Sequence, residues 1–292
     1  MTAITELARA KVNLTLRVHG RRADGYHEIA SLITFTDVGD RVHLEPGEPG
    51  DVRASGPFAA AITGPNLVGT ALARLADAEP RLALGSVTLD KRLPVAAGLG
   101  GGSADAAALL RAVSRANPAL TDEVDWVGIA AALGADVPVC LGSEPAWVSG
   151  LGEKIMAIPA LPQLAAVLVN PLVAVPADKT ARVFAKLEAP AAATRAEPQL
   201  VSPTRLASVD SLLALMRAEG NDLLAAATMV VPEIADVQAA LRGQAGCLFA
   251  GLSGAGPSSF GVFASRGESA AAAASLQQNR PNWWVTAAVL GP

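Results

Sequence analysis

Four of the five residues from Gly98 to Gly102 are glycine, and the run passes through Ser103 directly into an alanine-rich segment. This pattern predicts a backbone loop feeding a helix N-terminus, with the segment's only acid, Asp105, in the first turn. Glycine permits positive φ and close approach of a ligand, while a helix start offers unpaired N–H groups and the positive end of the dipole. An anion, most naturally a phosphate chain, suits such a place. A tight turn without a ligand is the plain alternative; the strong helix formers Ala106, Ala107, Ala108, Leu109 and Leu110 favour the phosphate.

Two familiar phosphate loops do not fit. A Walker loop ends in Gly-Lys-Ser/Thr, and no Gly-Lys pair occurs in the chain. A dinucleotide fingerprint requires glycine where Ser103 stands and an acid after a second parallel strand. Asp122, Glu123 and Asp125 stand at about the right distance but open TDEVDWVGIAAAL, which reads as a helix.

The chain has 292 residues, room for one large or two ordinary domains. A net charge of −4 argues against a nucleic-acid or acidic-membrane partner. No apolar stretch reaches the roughly 18 residues that span a bilayer, and Glu6 is foreign to a signal peptide, so a cytoplasmic protein is expected. Cys140 and Cys247 each lie in an apolar run, as buried free thiols would. The three histidines, at 19, 27 and 43, have no metal-ligand spacing.

From the N-terminus, Val12, Leu14, Leu16 and Val18 alternate as in a strand and leave Lys11, Asn13, Thr15 and Arg17 on the other face, ordinarily a solvent face. Asp24-Gly25 marks a turn, with Tyr26, the only tyrosine, beside His27 at the start of the returning strand. Such a pair can stack on and hydrogen-bond a flat ring, or simply cap the turn. Short strands are expected through residues 40–56, a helix after Asn66, and a strand over VTLDKRLPV that Pro94 stops before the glycine loop. Asp136 is expected in a turn between the helix ended by Gly134 and a short strand, VPVCL. An acid at the negative end of a helix needs a compensating cation, unless it only forms an Asx-turn. Beyond Glu153–Pro159 the order is strand, helix, the Pro/Ala-rich excursion EAPAAATRAEPQLVSPTR, two helices divided at Pro232, a strand, a second glycine turn at Gly251–Gly256, a strand, a helix near 268–277 and a last strand. That order suggests an α+β domain on an antiparallel sheet.

Together these stretches resemble the GHMP kinase superfamily, small-molecule kinases whose phosphate loop is not a Walker loop. AKVNL, PVAAGLGGGSADAA and LSGAGPSSFG carry the resemblance in that order. AKVNLTLRVHGRRADGYHEIASLITFTDVGD and LGADVPVCL narrow it to a branch acting on a cytidine diphosphate-linked polyol, and GNDL at 220–223 with Pro232-Glu233-Ile234 extends it over nearly the whole chain. The resemblance implies an α+β, two-domain GHMP kinase fold: an N-terminal α/β domain of ribosomal-protein type over 1–160, and a ferredoxin-like C-terminal domain over 161–292. It implies ATP with Mg²⁺, transfer of phosphate to an alcohol, and no obligate protein partner.

The site residues that the resemblance implies are these. Gly98, Leu99, Gly100, Gly101, Gly102, Ser103 and Ala104 would wrap the ATP phosphates, with Pro94 and Gly254 beside them, and Asn66 and Leu67 would lie near the adenine. Lys11 and Asp136 match the catalytic pair, Asp136 taking the hydroxyl proton while Lys11 holds it ionised. Asn13 would stand beside the acceptor, Tyr26 and His27 would hold the cytosine, Thr180 would lie near the nucleotide substrate, and Ser103 would touch Mg²⁺. Ala255-Gly256-Pro257 departs from the family, where threonine or serine often precedes the third small residue, and EAPAAATRAEPQ matches no family element. Homoserine, mevalonate or a sugar as acceptor, or a silent nucleotide-binding relative, are the competing readings.

Overall fold

A computed structural model describes residues 2–47, 50–64, 66–158, 161–187 and 206–291. In chain order these form β1 (Ile4–Asn13), β2 (Arg17–Arg21), β3 (His27–Glu45), β4 (Val52–Ser55), α1 (Leu67–Ala78), β5 (Ser86–Asp90), α2 (Gly101–Ala116), α3 (Trp126–Leu133) and α4 (Val137–Gly142). The second half contains β6 (Ala146–Gly150), β7 (Lys154–Ala157), β8 (Leu164–Asn170), α5 (Lys179–Lys186), α6 (Val209–Glu219), α7 (Leu224–Val230), α8 (Glu233–Arg242), β9 (Cys247–Leu252), β10 (Ser259–Phe263), α9 (Arg266–Asn279) and β11 (Trp284–Leu290). The Pro/Ala-rich excursion, residues 188–205, lies outside the described residues.

The chain divides into two compact units that interleave in sequence. One comprises Met1–Lys11, Val38–Val95 and Gly100–Ser143; the other comprises Val12–Asp37, Ala96–Leu99 and Glu144–Pro292. In the first, the C-terminal half of β3 pairs antiparallel with β5, Val42 opposite Leu89, and β4 adds in parallel to β5, Val52 opposite Val87. Helix α2 packs on α1, α3 and α4, and its run Ala106–Leu110 is fully buried. A helix apolar on nearly all sides suits the centre of a layer, where each buried leucine contributes about 1.5–3 kcal/mol.

In the second unit, β8 lies between β10 and β11, antiparallel to both, and β9 extends the sheet beyond β10. Val167, Val169, Val237, Leu241, Phe263 and Leu276 bury one side of this sheet beneath α8 and α9. The N-terminal half of β3 pairs with β2 and β6, and β6 with β7. Leu16, Val18, Val183, Leu223, Ile234 and Leu252 form a further core.

Several expectations need correction. VPVCL is not a strand but α4, with Pro138 in its first turn, where a missing N–H costs nothing. Asp136 lies in the turn after α3, which ends at Leu133 with Gly134 as its C-cap as expected, and it is also the N-cap of α4, an electrostatically favourable end. TDEVDWVGIAAAL breaks into a 3₁₀ turn and α3, because the Asp125 side chain accepts from Gly128 N and restarts the helix. Asp105 is the fifth residue of α2, beyond its first turn. Strands β6 and β7 and helix α6 were not expected. Cys140 is buried, but Cys247 is only half-buried; both are free thiols.

Candidate active site

Gly100 is the N-cap of α2 at φ 64°, so the chain turns left-handed and enters the helix, where Ala104 N closes the first bond onto Gly100 O at 2.8 Å. The amides before it lack helical partners and form the start of a 16-residue helix. A side chain at 100 would meet the Lys11 stem, its Cβ lying 3.1 Å from both Cβ and Cε of that lysine. A Cβ at exposed Gly102 would meet only Leu67 Cδ1, at 3.7 Å, leaving the approach open. These features fit a phosphate chain. Pro94, Leu99 and Ala104 have buried side chains, so backbone is what they can offer. Asn66 caps α1, its Oδ1 accepting from Val68 N at 3.0 Å, and so sets Leu67 at the head of that helix.

A buried ion triad holds the loop from below. Lys91 Nζ donates to Asp40 Oδ2 at 2.5 Å and to Asp105 Oδ2 at 2.7 Å. Asp40 Oδ1 also accepts from Arg92 N and Leu93 N, at 2.5 and 2.7 Å. The strand end leading to the loop and the helix leaving it are thereby tied to β3. Burial pushes the Asp105 carboxyl well above the usual carboxylate range, and Asp40 adds to this, while Lys91 opposes it. No motif pointed to this triad; its three members are 14 and 51 residues apart along the chain from Lys91.

Lys11 Nζ and Asp136 Oδ2 are 3.1 Å apart, the lysine side chain 6% exposed and the aspartate 44%. The face that carries Lys11 and Asn13 is therefore buried, not solvated. Arg111 of α2 holds this pair's supports together, donating to Leu7 O on β1 at 3.0 Å, to Cys140 O on α4 at 2.8 Å and to Glu6 Oε2 at 3.0 Å.

In the second unit, Ser253 Oγ donates to Gly98 O at 2.9 Å and accepts from Asn13 N at 3.3 Å. Asn13 Nδ2 donates to Ser31 Oγ at 2.8 Å, and Gly254 comes so near that a Cβ there would lie 3.5 Å from Asn13 Oδ1. Asn221, from GNDL, fixes the late turn by donating to Leu252 O and Gly254 O, each at 2.9 Å. The tip between β2 and β3 is closed by Asp24 Oδ1, which accepts from Tyr26 N at 3.1 Å, and leaves Tyr26 66% exposed. His27 stacks on Phe184 of α5 with ring centroids 4.9 Å apart. Burial, with the Arg21 guanidinium adding, pulls the His27 imidazole below its ordinary value, so it is neutral near pH 7. Thr180 is exposed one turn before Phe184. Phe184 was missed from sequence; only its spacing of four from Thr180 could have suggested it.

For a cation, no group of three His, Cys, Asp or Glu residues among the described residues could hold a metal. Asp105, the acid nearest Ser103, is committed to Lys91. The chain's donor at the loop is the Ser103 hydroxyl, which fits Mg²⁺, an ion that keeps waters and takes phosphate oxygens.

Residues 66–144 match the GHMP kinases N terminal domain family, and residues 203–282 match the GHMP kinases C terminal family. The chain is 44% identical over 297 residues to 4-diphosphocytidyl-2-C-methyl-D-erythritol kinase of Rhodopseudomonas palustris strain BisA53, covering 99% of this chain and 98% of that protein. It is 46% identical over 292 residues to the enzyme of the same name from Parvibaculum lavamentivorans, covering 99% and 98%. A crystal structure of 4-(cytidine 5'-diphospho)-2C-methyl-D-erythritol kinase superposes with a TM-score of 0.78 at 34% identity, covering 99% of this chain and all of that one.

Proposed function

The chain belongs to the GHMP kinases, with their two-domain α+β fold, and from that premise we propose that it transfers the γ-phosphoryl group of ATP to the 2-hydroxyl of 4-diphosphocytidyl-2-C-methyl-D-erythritol, a step toward isoprenoids. One observation carries the reading: the Lys11–Asp136 pair, 3.1 Å apart, has its lysine stem packed under Gly100 of the glycine loop. Phosphoryl transfer is mostly positioning and charge stabilisation, so an amide cradle and an acid–lysine pair at the acceptor hydroxyl supply the chain's share.

Asp136 accepts the proton of the attacking hydroxyl, and Lys11, paired with that carboxylate at 3.1 Å, orients it and offsets charge on the γ-phosphate. Gly98 to Ala104 hold the phosphates by their amides, with Pro94 setting the loop's entry and Gly254 flanking it, while Asn66 and Leu67 border the adenine. Mg²⁺, with Ser103 as the chain's contact, supplies charge neutralisation when bound. Tyr26, His27 and Phe184 hold the cytosine, the neutral imidazole offering one donor and one acceptor; Asn13 and Thr180 contact the rest of the acceptor. We keep 1–160 and 161–292 as the two domains, a division supported by the separate matches at 66–144 and 203–282. We place the enzyme in the cytoplasm, where thiols such as Cys140 and Cys247 stay reduced.

ATP consumption with Mg²⁺ tests the proposal, comparing the cytidine compound with homoserine, mevalonate and galactose. Turnover confined to the cytidine compound is expected, and preference for any other acceptor sinks the assignment. Asp136→Asn lowers kcat by about 10²-fold or more with the fold intact, since proton acceptance contributes that much; near-normal turnover removes Asp136 from the chemistry.

A further inference from the structure

One buried ammonium takes no part in this chemistry. Lys179 opens α5, is 5% exposed, and among the described residues pairs with no carboxylate. Its Nζ donates to Ala96 O at 3.1 Å and also to Gly256 O. Ala96 holds φ 54°, a left-handed conformation that costs a non-glycine residue energy and must be held from outside. Gly256 belongs to the turn that presses on Gly98, where a Cβ would fall 2.6 Å from Ser253 O and 2.7 Å from Gly256 O. A single lysine therefore ties the strained entry of the glycine loop to the late glycine turn. It does so from the first residue of the helix that carries Thr180 and Phe184.

Among the described residues, no carboxylate compensates its charge. Asp178 and Arg182 of α5 satisfy each other at 2.7 Å. Residues 96–99, the turn 253–258 and α7, which packs on α5, contain no charged residue. His27, stacked on Phe184, Arg21, which acts on His27, and Lys186 at the far end of α5 are further titratable groups of this wall, and β2, whose Val18 shares a core with Val183 of α5, carries Arg17 and His19. A buried cation without a counter-charge is costly in the empty protein and becomes favourable when an anion arrives.

We propose that Lys179 is a positioning residue for phosphoryl transfer, clamping the entry of the glycine loop, Ala96, to the late turn at Gly256 with a positive charge that no carboxylate among the described residues neutralises and that an anion bound at the loop would offset. The proposal rests on the reading of the chain as an ATP-dependent kinase. Burial brings the Lys179 ammonium down to about 8. Bound phosphate favours the charged form, so nucleotide binding takes up a proton on the alkaline side of neutrality.

The test is titration calorimetry of the full chain with a non-hydrolysable ATP analogue and Mg²⁺, from about pH 7 to about pH 9.5, in buffers of different protonation enthalpy. Wild type is expected to lose affinity roughly tenfold across this range and to take up protons on binding. Lys179→Met binds roughly tenfold more weakly near neutral pH and shows neither the alkaline loss nor the uptake. Lys179→Arg stays charged throughout and abolishes the alkaline loss even if it binds less tightly. Wild-type affinity and alkaline loss retained in Lys179→Met overturn the proposal; should that variant not fold, an unmoved alkaline loss in Lys179→Arg overturns it. Wild type that binds the analogue but phosphorylates no acceptor sinks the kinase reading and leaves the Lys179 result to stand or fall on its own.

Discussion

Asp40 and Asp105 share the Lys91 ammonium on unequal terms. Asp40 is fully buried and accepts three hydrogen bonds, one from Lys91 and two from the Arg92 and Leu93 amides. Asp105 accepts one, and its Oδ1 has no partner. The first is anchored by all three donors; the second is held toward its neutral form by burial. Asp40→Asn removes the charge that satisfies Lys91 and costs about 3–5 kcal/mol of folding stability. Asp105→Asn resembles the protonated acid and costs about 1 kcal/mol. Urea unfolding of both variants near neutral pH checks the order, and equal losses would contradict this division. Lys11 and Asn13 show the same limit of sequence reading: their alternation was legible, but their burial was not, because burial depends on Asp136, Ser31 and Ser253, all distant along the chain.

At the scale of elements, the glycine loop was the most legible part, because its information is local. Its glycines nonetheless have different duties. Gly98 sits at φ 79° against the Ser253 and Gly256 carbonyls, whereas Gly102 is helical, and a Cβ there would make only an ordinary contact with Leu67 Cδ1 at 3.7 Å. Gly98→Ala therefore destabilises the protein by about 1–3 kcal/mol through strain and overlap. Gly102→Ala keeps or raises the melting temperature, since alanine favours the helix by about 1 kcal/mol, yet weakens ATP binding by occupying the open approach. Melting curves paired with the KM for ATP separate the two; a destabilised Gly102→Ala would overturn this account. Helix α4 shows where local reading fails. A short apolar run such as VPVCL has no period of its own, and the helix forms because Pro138 near its start and its packing on α2 and α3 select it.

For the whole molecule, Lys179 makes stability depend on pH in an unusual direction. Its folded value of about 8 lies below the 10.5 of a free lysine, so between these the unfolded chain binds more protons. Stability therefore rises with pH through that window, by about 3 kcal/mol at most, and the ammonium is least favourable below about pH 8. Lys179→Met loses this rise. Comparing the urea midpoints of the two proteins from about pH 7.5 to about pH 10 measures it, and parallel curves would contradict the assignment.

Two family domains, the order of the phosphate loop and late glycine turn, and most helix and strand types were determined by the sequence alone, because each rests on neighbours within a few turns of chain. What tertiary structure decided is which distant residues meet. The two units interleave, with the chain leaving one for the other after Lys11, Asp37, Val95, Leu99 and Ser143. Contacts such as Lys91 with Asp40, His27 with Phe184, and Lys179 with Ala96 join segments whose separation carries no periodic signal. They arise only when burial removes water and each polar group must find its partner within the fold.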